Sequence, residues 1–259
     1  MNLKCPFHND ENASLSIKNN FFICYGCKKY GKTNFKFYKI KNFDNLFNKD
    51  VIYNARNNLL FQKNYWLNYL IKRNISFKTL LKYNLGYVNV NFKYNNKNRI
   101  IYNKLIFPIF NEFGILIGIG LKTKIDKPKY INLFKFNLNK KELLYGIYEK
   151  LYDKFLIIVE GYFDLLTLYE NNIFNVISIL GSNINEYQIF NLLKKFKKIV
   201  FCLDGDYSGY LGLLKLKFLK KKNNIKNLLF KCLPLNYDPD SYINKYGIKE
   251  FLKYLKICF

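Results

Sequence analysis

The C-terminal half of the chain alternates strand-like and helix-like segments, and this pattern restricts the possible folds more than any other feature. Apolar runs rich in β-branched residues occupy 155–159, 175–180, 198–203 and 227–233, and they predict strands that are buried on both faces. Helical spacing separates them, and one helix opens with the capping-box form Asn185-Glu-Tyr-Gln188. Such alternation predicts a parallel sheet with helices on its faces.

Acidic residues follow three of these strands. Glu160 follows the first, Asp204 and Asp206 follow the third, and Asp238 and Asp240 lie after the fourth. The carboxyl ends of parallel strands meet at one edge of a sheet, where such folds bind ligands. Any one of these acids alone could be a solvated loop residue, but neighbouring carboxylates repel each other unless a cation neutralises them. The cluster therefore predicts a site for a hard divalent ion, Mg²⁺ or Mn²⁺.

Two pairs of soft ligands lie near the N-terminus. Cys5 and His8 form one pair, Cys24 and Cys27 form the other, and the members of each pair are three positions apart. This spacing is typical of a closed tetrahedral zinc site. The intervening runs at 13–17 and 21–24 predict a short hairpin. We expect one structural Zn²⁺ in this module, against the alternative that the residues coincide by chance.

Residues 26–33 match the phosphate-loop pattern G-x-x-x-x-G-K-[ST]. A true phosphate loop lies between a strand and a helix of a βαβ unit. Here the segment contains the expected zinc ligand Cys27, and no clear helical pattern follows. We therefore interpret it as part of the zinc module.

The charge balance points to a polyanionic partner. The chain has 43 basic and 18 acidic residues and a net charge of +25, which favours nucleic acid over membrane. Its abundant Lys, Asn and Ile are also typical of AT-rich coding, which weakens this inference. No apolar segment suggests a signal peptide or a membrane span. We expect a bacterial cytoplasmic protein, with an organelle as the alternative.

Three acidic motifs resemble those of the Toprim fold: Val159-Glu-Gly-Tyr-x-Asp164, Leu203-Asp-Gly-Asp-x-x-Gly209 and Asp238-Pro-Asp240. The two ligand pairs are similar to the zinc finger of bacterial DnaG-type primases. Four segments resemble the basic subdomain that precedes Toprim in those primases, at 107–109, 114–120, 128–132 and 144–146. The motifs follow the order of that family from residue 5 to about 247.

The resemblance implies an α/β protein, α+β overall, in several parts. These are a zinc ribbon over 1–31, a linker over 32–58, a basic α+β subdomain over 59–150, and a Toprim parallel sheet with flanking helices over 151–259, which ends in a short helical remnant. It also implies DNA-templated synthesis of RNA primers from ribonucleoside triphosphates on single-stranded DNA.

The resemblance also suggests roles for individual residues. Glu160, Asp204 and Asp206 would be catalytic and bind Mg²⁺. The further candidate metal ligands are Asp240, Asp164 and Asp238. Of these, we expect Asp164 and Asp238 to bind the metal weakly or to support its ligands. The candidates for nucleotide or template binding are Lys104, Lys122, Lys129, Asn132 and Lys140.

The chain departs from the family in several places. Lys104 and Lys122 stand where the family has arginine, and lysine lacks the bidentate geometry of arginine toward phosphate, so we expect weaker nucleotide binding. The helicase-binding domain of the family has no counterpart in this sequence. We therefore expect a shortened member of the family, for which docking to the replicative helicase is an open question. We also expect a monomer. The alternatives are a non-catalytic protein that binds single-stranded DNA, or another Toprim enzyme such as a nuclease or topoisomerase.

Overall fold

The computed structural model describes the chain in eleven stretches: 14–18, 21–28, 30–32, 39–40, 47–62, 64–94, 97–124, 128–135, 144–148, 155–180 and 185–257. The chain divides into two compact units. One comprises 1–108 with 116–135, and the other comprises 109–115 with 136–259. Within the described ranges, none of the helices has both the length and the apolar character needed to cross a membrane.

The N-terminal module is a three-stranded antiparallel sheet. It contains β1 (Leu15–Lys18), β2 (Phe21–Cys24) and β3 (Tyr30–Lys32), in that order. The predicted hairpin is therefore confirmed. The start of the phosphate-loop pattern forms the turn after β2, and its glycine-lysine pair lies in β3, antiparallel to β2. This arrangement is not the strand–loop–helix order of a phosphate loop.

Three helices and a five-stranded sheet complete the first unit. The helices are α1 (Lys49–Phe61), α2 (Tyr65–Lys72) and α3 (Phe77–Lys82). The Ser76 hydroxyl accepts a hydrogen bond from Thr79 N–H and caps α3 as predicted. The strands are β4 (Lys39–Ile40), β5 (Gly86–Tyr94), β6 (Lys97–Phe110), β7 (Leu116–Lys122) and β8 (Tyr130–Phe134), which lie side by side in chain order.

The second unit contains the predicted parallel sheet. Its strands are β9 (Leu156–Val159), β10 (Val176–Ser178), β11 (Ile199–Leu203) and β12 (Leu228–Cys232), in the order β10-β9-β11-β12 with every pair parallel. The helices are α4 (Tyr162–Glu170), α5 (Glu186–Lys195), α6 (Tyr207–Lys222) and α7 (Pro239–Leu255). The capping box at Asn185 and Gln188 opens α5 as predicted.

The two sheet faces of this unit carry different helices. Side chains of α5 and α6, such as Ile189, Leu192 and Leu216, pack into one cluster with Ile158 and Phe201. The helices α4 and α7 pack against each other and cover the second face. The central strand β9 has no exposed side chain, as expected for a strand buried on both faces.

Two expected boundaries differ from the structure. The segment 32–58 is not linker to its end, because α1 begins at Lys49 and buries Val51, Ile52 and Ala55, and this helix packs against β5. The second unit also begins before residue 151. Tyr145 forms a backbone bridge with Ser178, and the side chain of Leu144 lies in the core of the second unit.

Candidate metal centre

Glu160 links the ends of the two central parallel strands. It follows β9 directly, and its backbone carbonyl accepts a hydrogen bond from the Ser178 hydroxyl at 2.8 Å. Its carboxylate Oε1 accepts a hydrogen bond from Asp204 N–H at 3.0 Å. The acids after β9 and after β11 therefore lie side by side at the carboxyl edge of the sheet, as the sequence predicts.

Gly205 and Gly209 allow backbone segments to approach closely around the acids that follow β11. A Cβ on Gly205 would lie 1.9 Å from the carbonyl oxygen of Pro234, and a Cβ on Gly209 would lie 2.1 Å from that of Asp204. Both separations are far below contact distance, so no side chain fits. The spacing Asp-Gly-Asp-x-x-Gly is therefore required by the close approach of backbone segments as well as by the chemistry of the acids.

Asp206 begins α6. Its Oδ1 accepts a hydrogen bond from Gly209 N–H at 2.7 Å, and its side chain is exposed to solvent. One carboxylate oxygen therefore fixes the helix start.

Asp204 has the most perturbed acidity of the cluster. Burial, followed by the charges of Asp164 and Glu160, raises its pKa to about 9. Its Oδ1 is buried and receives no hydrogen bond from any described residue. Burial also raises the pKa of Glu160, although the hydrogen bond from the Asp204 backbone opposes this shift. A carboxyl group in this setting either keeps its proton or, as an anion, needs a nearby cation.

The donor set fits a hard divalent cation. No three His, Cys, Asp or Glu side chains in the described ranges form a ready-made metal cage. Mg²⁺ does not need one, because it usually binds through one or two carboxylates and completes its shell with water and substrate phosphate. The buried, unsatisfied oxygen of Asp204 beside Glu160 meets this requirement.

Asp164 and Asp240 lie in the contact between α4 and α7. Asp164 accepts hydrogen bonds from Gly161 N–H at 2.9 Å and from Asp240 N–H at 3.2 Å. The Oδ1 of Asp240 accepts from the Thr167 hydroxyl at 2.6 Å and from the Asn244 amide at 2.9 Å. Burial raises the pKa of Asp164 to about 7, and the charge of Asp238 adds to this effect. These bonds tie two helices together beneath the metal centre.

Asp238 has a capping role. Its Oδ1 accepts a hydrogen bond from Ser241 N–H at 2.7 Å and begins α7. Cys232 supports the neighbouring segment, because its thiol donates to the backbone carbonyl of Asp204 at 2.9 Å. Sequence reasoning did not assign roles to Thr167 or Asn244, and no local pattern marks them.

The first unit contains a cluster of cations and tyrosines. The Lys122 ammonium donates to the Tyr130 hydroxyl at 3.1 Å and lies 4.3 Å from the centre of the same ring. Burial lowers the pKa of Lys122 to about 8, and the charges of Arg73 and Lys129 add to the shift. Cations held this close favour an anionic ligand. Sequence reasoning assigned no role in this cluster to Arg73. Its position at the end of α2 was the only sequence signal that could have indicated one.

The other candidate ligands are placed as follows. Lys104 lies on β6 opposite Val88, and Asn132 lies on β8 opposite Gly120. Lys140, Cys5 and His8 lie outside the described residues. Cys24 is buried, and its Sγ accepts a hydrogen bond from Cys27 N–H at 3.3 Å. An amide directed at sulfur stabilises a thiolate, the form that binds zinc.

Two protein families match this chain. Residues 154–228 match the Toprim domain, and residues 2–64 match the CHC2 zinc finger. Among curated relatives, the DNA primase of Rickettsia prowazekii is 27% identical over 96% of this chain and 53% of its own length. That of Buchnera aphidicola subsp. Baizongia pistaciae is 30% identical over 96% of this chain and 55% of its own length. The chain spans about half the length of the curated relatives it matches.

Solved structures share the fold. The Aquifex aeolicus primase, with its zinc-binding and RNA polymerase domains, is 25% identical and has a TM-score of 0.66 over 98% of this chain and 77% of its own. A DnaG catalytic core has a TM-score of 0.72 at 22% identity, covering 80% of this chain and 77% of its own. A DnaG primase catalytic domain solved with single-stranded DNA has a TM-score of 0.70 at 21% identity, covering 80% and 78%.

The parallel sheet with its acidic edge and the zinc-finger match define a Toprim protein with a CHC2 zinc finger. More specifically, the chain is similar to the bacterial DnaG-type DNA primases in its two family matches, its curated relatives and its fold. The expected α/β fold, with a parallel sheet and flanking helices, is confirmed.

Proposed function

We propose that this chain synthesises RNA primers on single-stranded DNA. The observation that carries the proposal is the buried Oδ1 of Asp204, which receives no hydrogen bond from any described residue, in a residue whose backbone N–H donates to Glu160. Such an arrangement is costly for the folded protein unless it serves a ligand. The similarity to DNA primases supports nucleotidyl transfer as the reaction that uses the site.

In the proposed reaction, the 3′-hydroxyl of one ribonucleotide attacks the α-phosphorus of the next. The new O–P bond forms as the bond to pyrophosphate breaks, and the hydroxyl proton passes to solvent. Bound at this site, Mg²⁺ or Mn²⁺ would neutralise phosphate charge and favour the ionised hydroxyl. The proposed ligands are Glu160, Asp204 and Asp206, while Asp164, Asp238 and Asp240 hold the surrounding backbone in place.

The cationic cluster of the first unit is proposed to bind phosphate. The Lys122 ammonium lies over the rings of Tyr130 and Tyr69, at 4.3 and 5.7 Å from their centres. Its charge is suppressed by burial and by neighbouring cations, so an incoming triphosphate or template phosphate would relieve repulsion. Lys104, Lys129, Asn132 and Lys140 are proposed to act with it.

The zinc module is proposed to bind one structural Zn²⁺ through Cys5, His8, Cys24 and Cys27. Single-stranded DNA and ribonucleoside triphosphates are the proposed partners, with the replicative helicase as a further candidate. The proposed place of action is replicating DNA in a bacterial cytoplasm. No observation favours a non-catalytic DNA-binding role or another Toprim reaction.

A primer-synthesis assay tests the proposal. The full chain is incubated with single-stranded DNA, labelled ribonucleoside triphosphates and Mg²⁺, with and without the replicative helicase of the same organism. We expect short oligoribonucleotides from the wild type and none from Asp204→Asn. If the wild type yields no product under either condition, the proposal is wrong.

A further inference from the structure

Three tyrosines and one lysine form a partly exposed cluster at the start of α7, which we name the tyrosine platform: Tyr237, Tyr242, Tyr246 and Lys245. The ring centres of Tyr242 and Tyr246 are 4.8 Å apart, and those of Tyr237 and Tyr246 are 5.6 Å apart. The Lys245 ammonium lies 5.2 Å from the centre of the Tyr237 ring and 5.1 Å from that of Tyr246. The outermost ring, Tyr246, is 46% exposed.

Ring contacts and hydrogen bonds hold the tyrosine platform in place. Tyr242 contacts Phe251 and Tyr254, with ring centres 6.2 and 5.7 Å apart. The Tyr254 hydroxyl donates to the Cys232 carbonyl at 2.6 Å. At the surface, Lys245 donates to the Tyr237 hydroxyl, whose oxygen lies 3.3 Å from that of Tyr246. Rings fixed in this way lose little conformational freedom when a ligand binds.

The platform adjoins the metal centre through backbone contacts. The Tyr237 carbonyl accepts a hydrogen bond from Gly205 N–H at 2.7 Å, and the Gly205 carbonyl accepts one from Asn236 N–H at 2.8 Å. Gly205 lies between the acids Asp204 and Asp206, and Tyr237 directly precedes Asp238. The platform is therefore continuous with both acidic loops.

The cluster is open to a ligand from solvent. The side chains of Tyr246 and Lys245 are both exposed. The cluster is unsuited to a cationic ligand, because Lys245 already occupies the ring faces that a cage would offer. A ligand that fits must combine flat π-surfaces with negative charge. A single nucleic-acid strand has both.

We propose that the tyrosine platform stacks bases of a single nucleic-acid strand that passes the carboxylate site, with Lys245 facing its phosphates. The inference rests on the proposed function, because it names a binding surface for the strand on which that function acts. DNA and RNA share this chemistry, so the experiment compares both.

Binding of labelled oligomers to the full chain tests the proposal, measured by fluorescence anisotropy in EDTA without nucleotides. The probes are oligo(dT), oligo(rU) and an abasic oligomer that has the same phosphates but no bases. We expect Tyr246→Leu to weaken binding of at least one base-carrying probe by about tenfold, since stacking on one aromatic ring is typically of this size. Tyr246→Phe should bind as wild type, because it keeps the ring.

The controls separate stacking from loss of folding and from loss of charge. Tyr187→Leu removes a tyrosine that is 64% exposed on α5, which packs with α6 on the other face of the sheet, and should change nothing. The abasic oligomer should bind wild type and Tyr246→Leu equally. The proposal is overturned if Tyr246→Leu binds both base-carrying probes like wild type while its circular dichroism spectrum is unchanged.

The binding result is independent of the primer assay. If the wild type makes primers and Tyr246→Leu binds normally, the platform inference fails and the proposed function stands. If Tyr246→Leu loses base-dependent binding but the wild type makes no primers, the platform inference stands and the proposed function fails.

Discussion

The carboxylate of Glu160 accepts a hydrogen bond from the backbone N–H of Asp204 at 3.0 Å. This bond connects the ends of β9 and β11, the two central strands of the parallel sheet. It uses one oxygen of Glu160 and leaves the negative charge in place. Glutamine could accept the same bond without the charge, so Glu160→Gln separates the metal-binding role of this residue from its structural role.

Asp204→Asn should stabilise the metal-free protein. The pKa of Asp204 is raised from 3.8 to about 9 by burial, with Asp164 and Glu160 adding to the shift. The folded state therefore holds this proton more tightly than the unfolded chain, and stability falls as pH rises between these values. We expect the variant to gain about 1 to 3 kcal/mol in unfolding free energy at about pH 8. This gain should vanish at about pH 4.

Urea denaturation in EDTA at the two pH values measures this gain. Glu250→Gln, which changes an exposed acid on α7, is the matched control and should have little effect. An Asp204→Asn protein that is less stable than wild type at the higher pH contradicts the electrostatic interpretation.

Gly205→Ala should destabilise the fold strongly. Its Cβ would lie 1.9 Å from the Pro234 carbonyl oxygen and 2.9 Å from that of Leu233, so the loop after β11 must shift. We expect a loss of about 3 kcal/mol or more. Gly212→Ala is the control, because its Cβ would meet Leu203 at 3.6 Å, an ordinary contact. Thermal denaturation of both variants checks the difference, and equal effects would contradict it.

Lys122 should make triphosphate binding depend on pH. Burial and the neighbouring cations Arg73 and Lys129 lower its pKa to about 8, so part of its charge is lost as pH rises through this value. Because an anionic ligand favours the charged form, affinity should fall over the same range, and binding should take up protons. Arginine stays charged, so Lys122→Arg should bind at least as tightly and without this pH dependence.

Calorimetric titration of ATP in buffers of different ionisation enthalpy measures the proton uptake. Lys124→Arg, at a cation that lies 4.3 Å from the ring centre of Tyr65, is the matched control and should keep the pH dependence of the wild type. Proton uptake that persists in Lys122→Arg would assign the effect to another group.

The zinc module should lose its metal when Cys24 is replaced. Cys24 is buried, and Cys27 N–H donates to its sulfur, and alanine offers no ligand atom in its place. Metal analysis should find one zinc per chain in the wild type and far less in Cys24→Ala. Cys202→Ala, at a thiol buried in β11, should keep the full content. Full zinc content in Cys24→Ala would exclude the assignment.

The sequence predicts the parallel unit well because its signals are local. The apolar run before Glu160 and the capping box at Asn185 each determine their own element. The helix α1 was not predicted, because Lys and Asn are so frequent in this chain that they hide the apolar spacing of Val51, Ile52 and Ala55. The helix is apolar on one face only, and its contact with β5 stabilises that face.

The candidate site could be predicted only in outline. Strand ends bring Glu160 and Asp204 together, which the order of elements already implies. The hydrogen bond between Thr167 and Asp240 joins residues that are 73 positions apart, so no local pattern reveals that Asp240 bonds to α4. The same holds for Cys232, whose thiol reaches the Asp204 carbonyl from the neighbouring strand.

The most direct test compares primer synthesis by Glu160→Gln and by Glu186→Gln. Glu186 is an exposed acid at the start of α5 that pairs with Lys222, so its variant controls for loss of one negative charge. We predict that the wild type and Glu186→Gln make oligoribonucleotides complementary to the template. Glu160→Gln should lose at least about a hundredfold in rate while its circular dichroism spectrum matches that of the wild type. Wild-type activity in a folded Glu160→Gln protein would contradict the account.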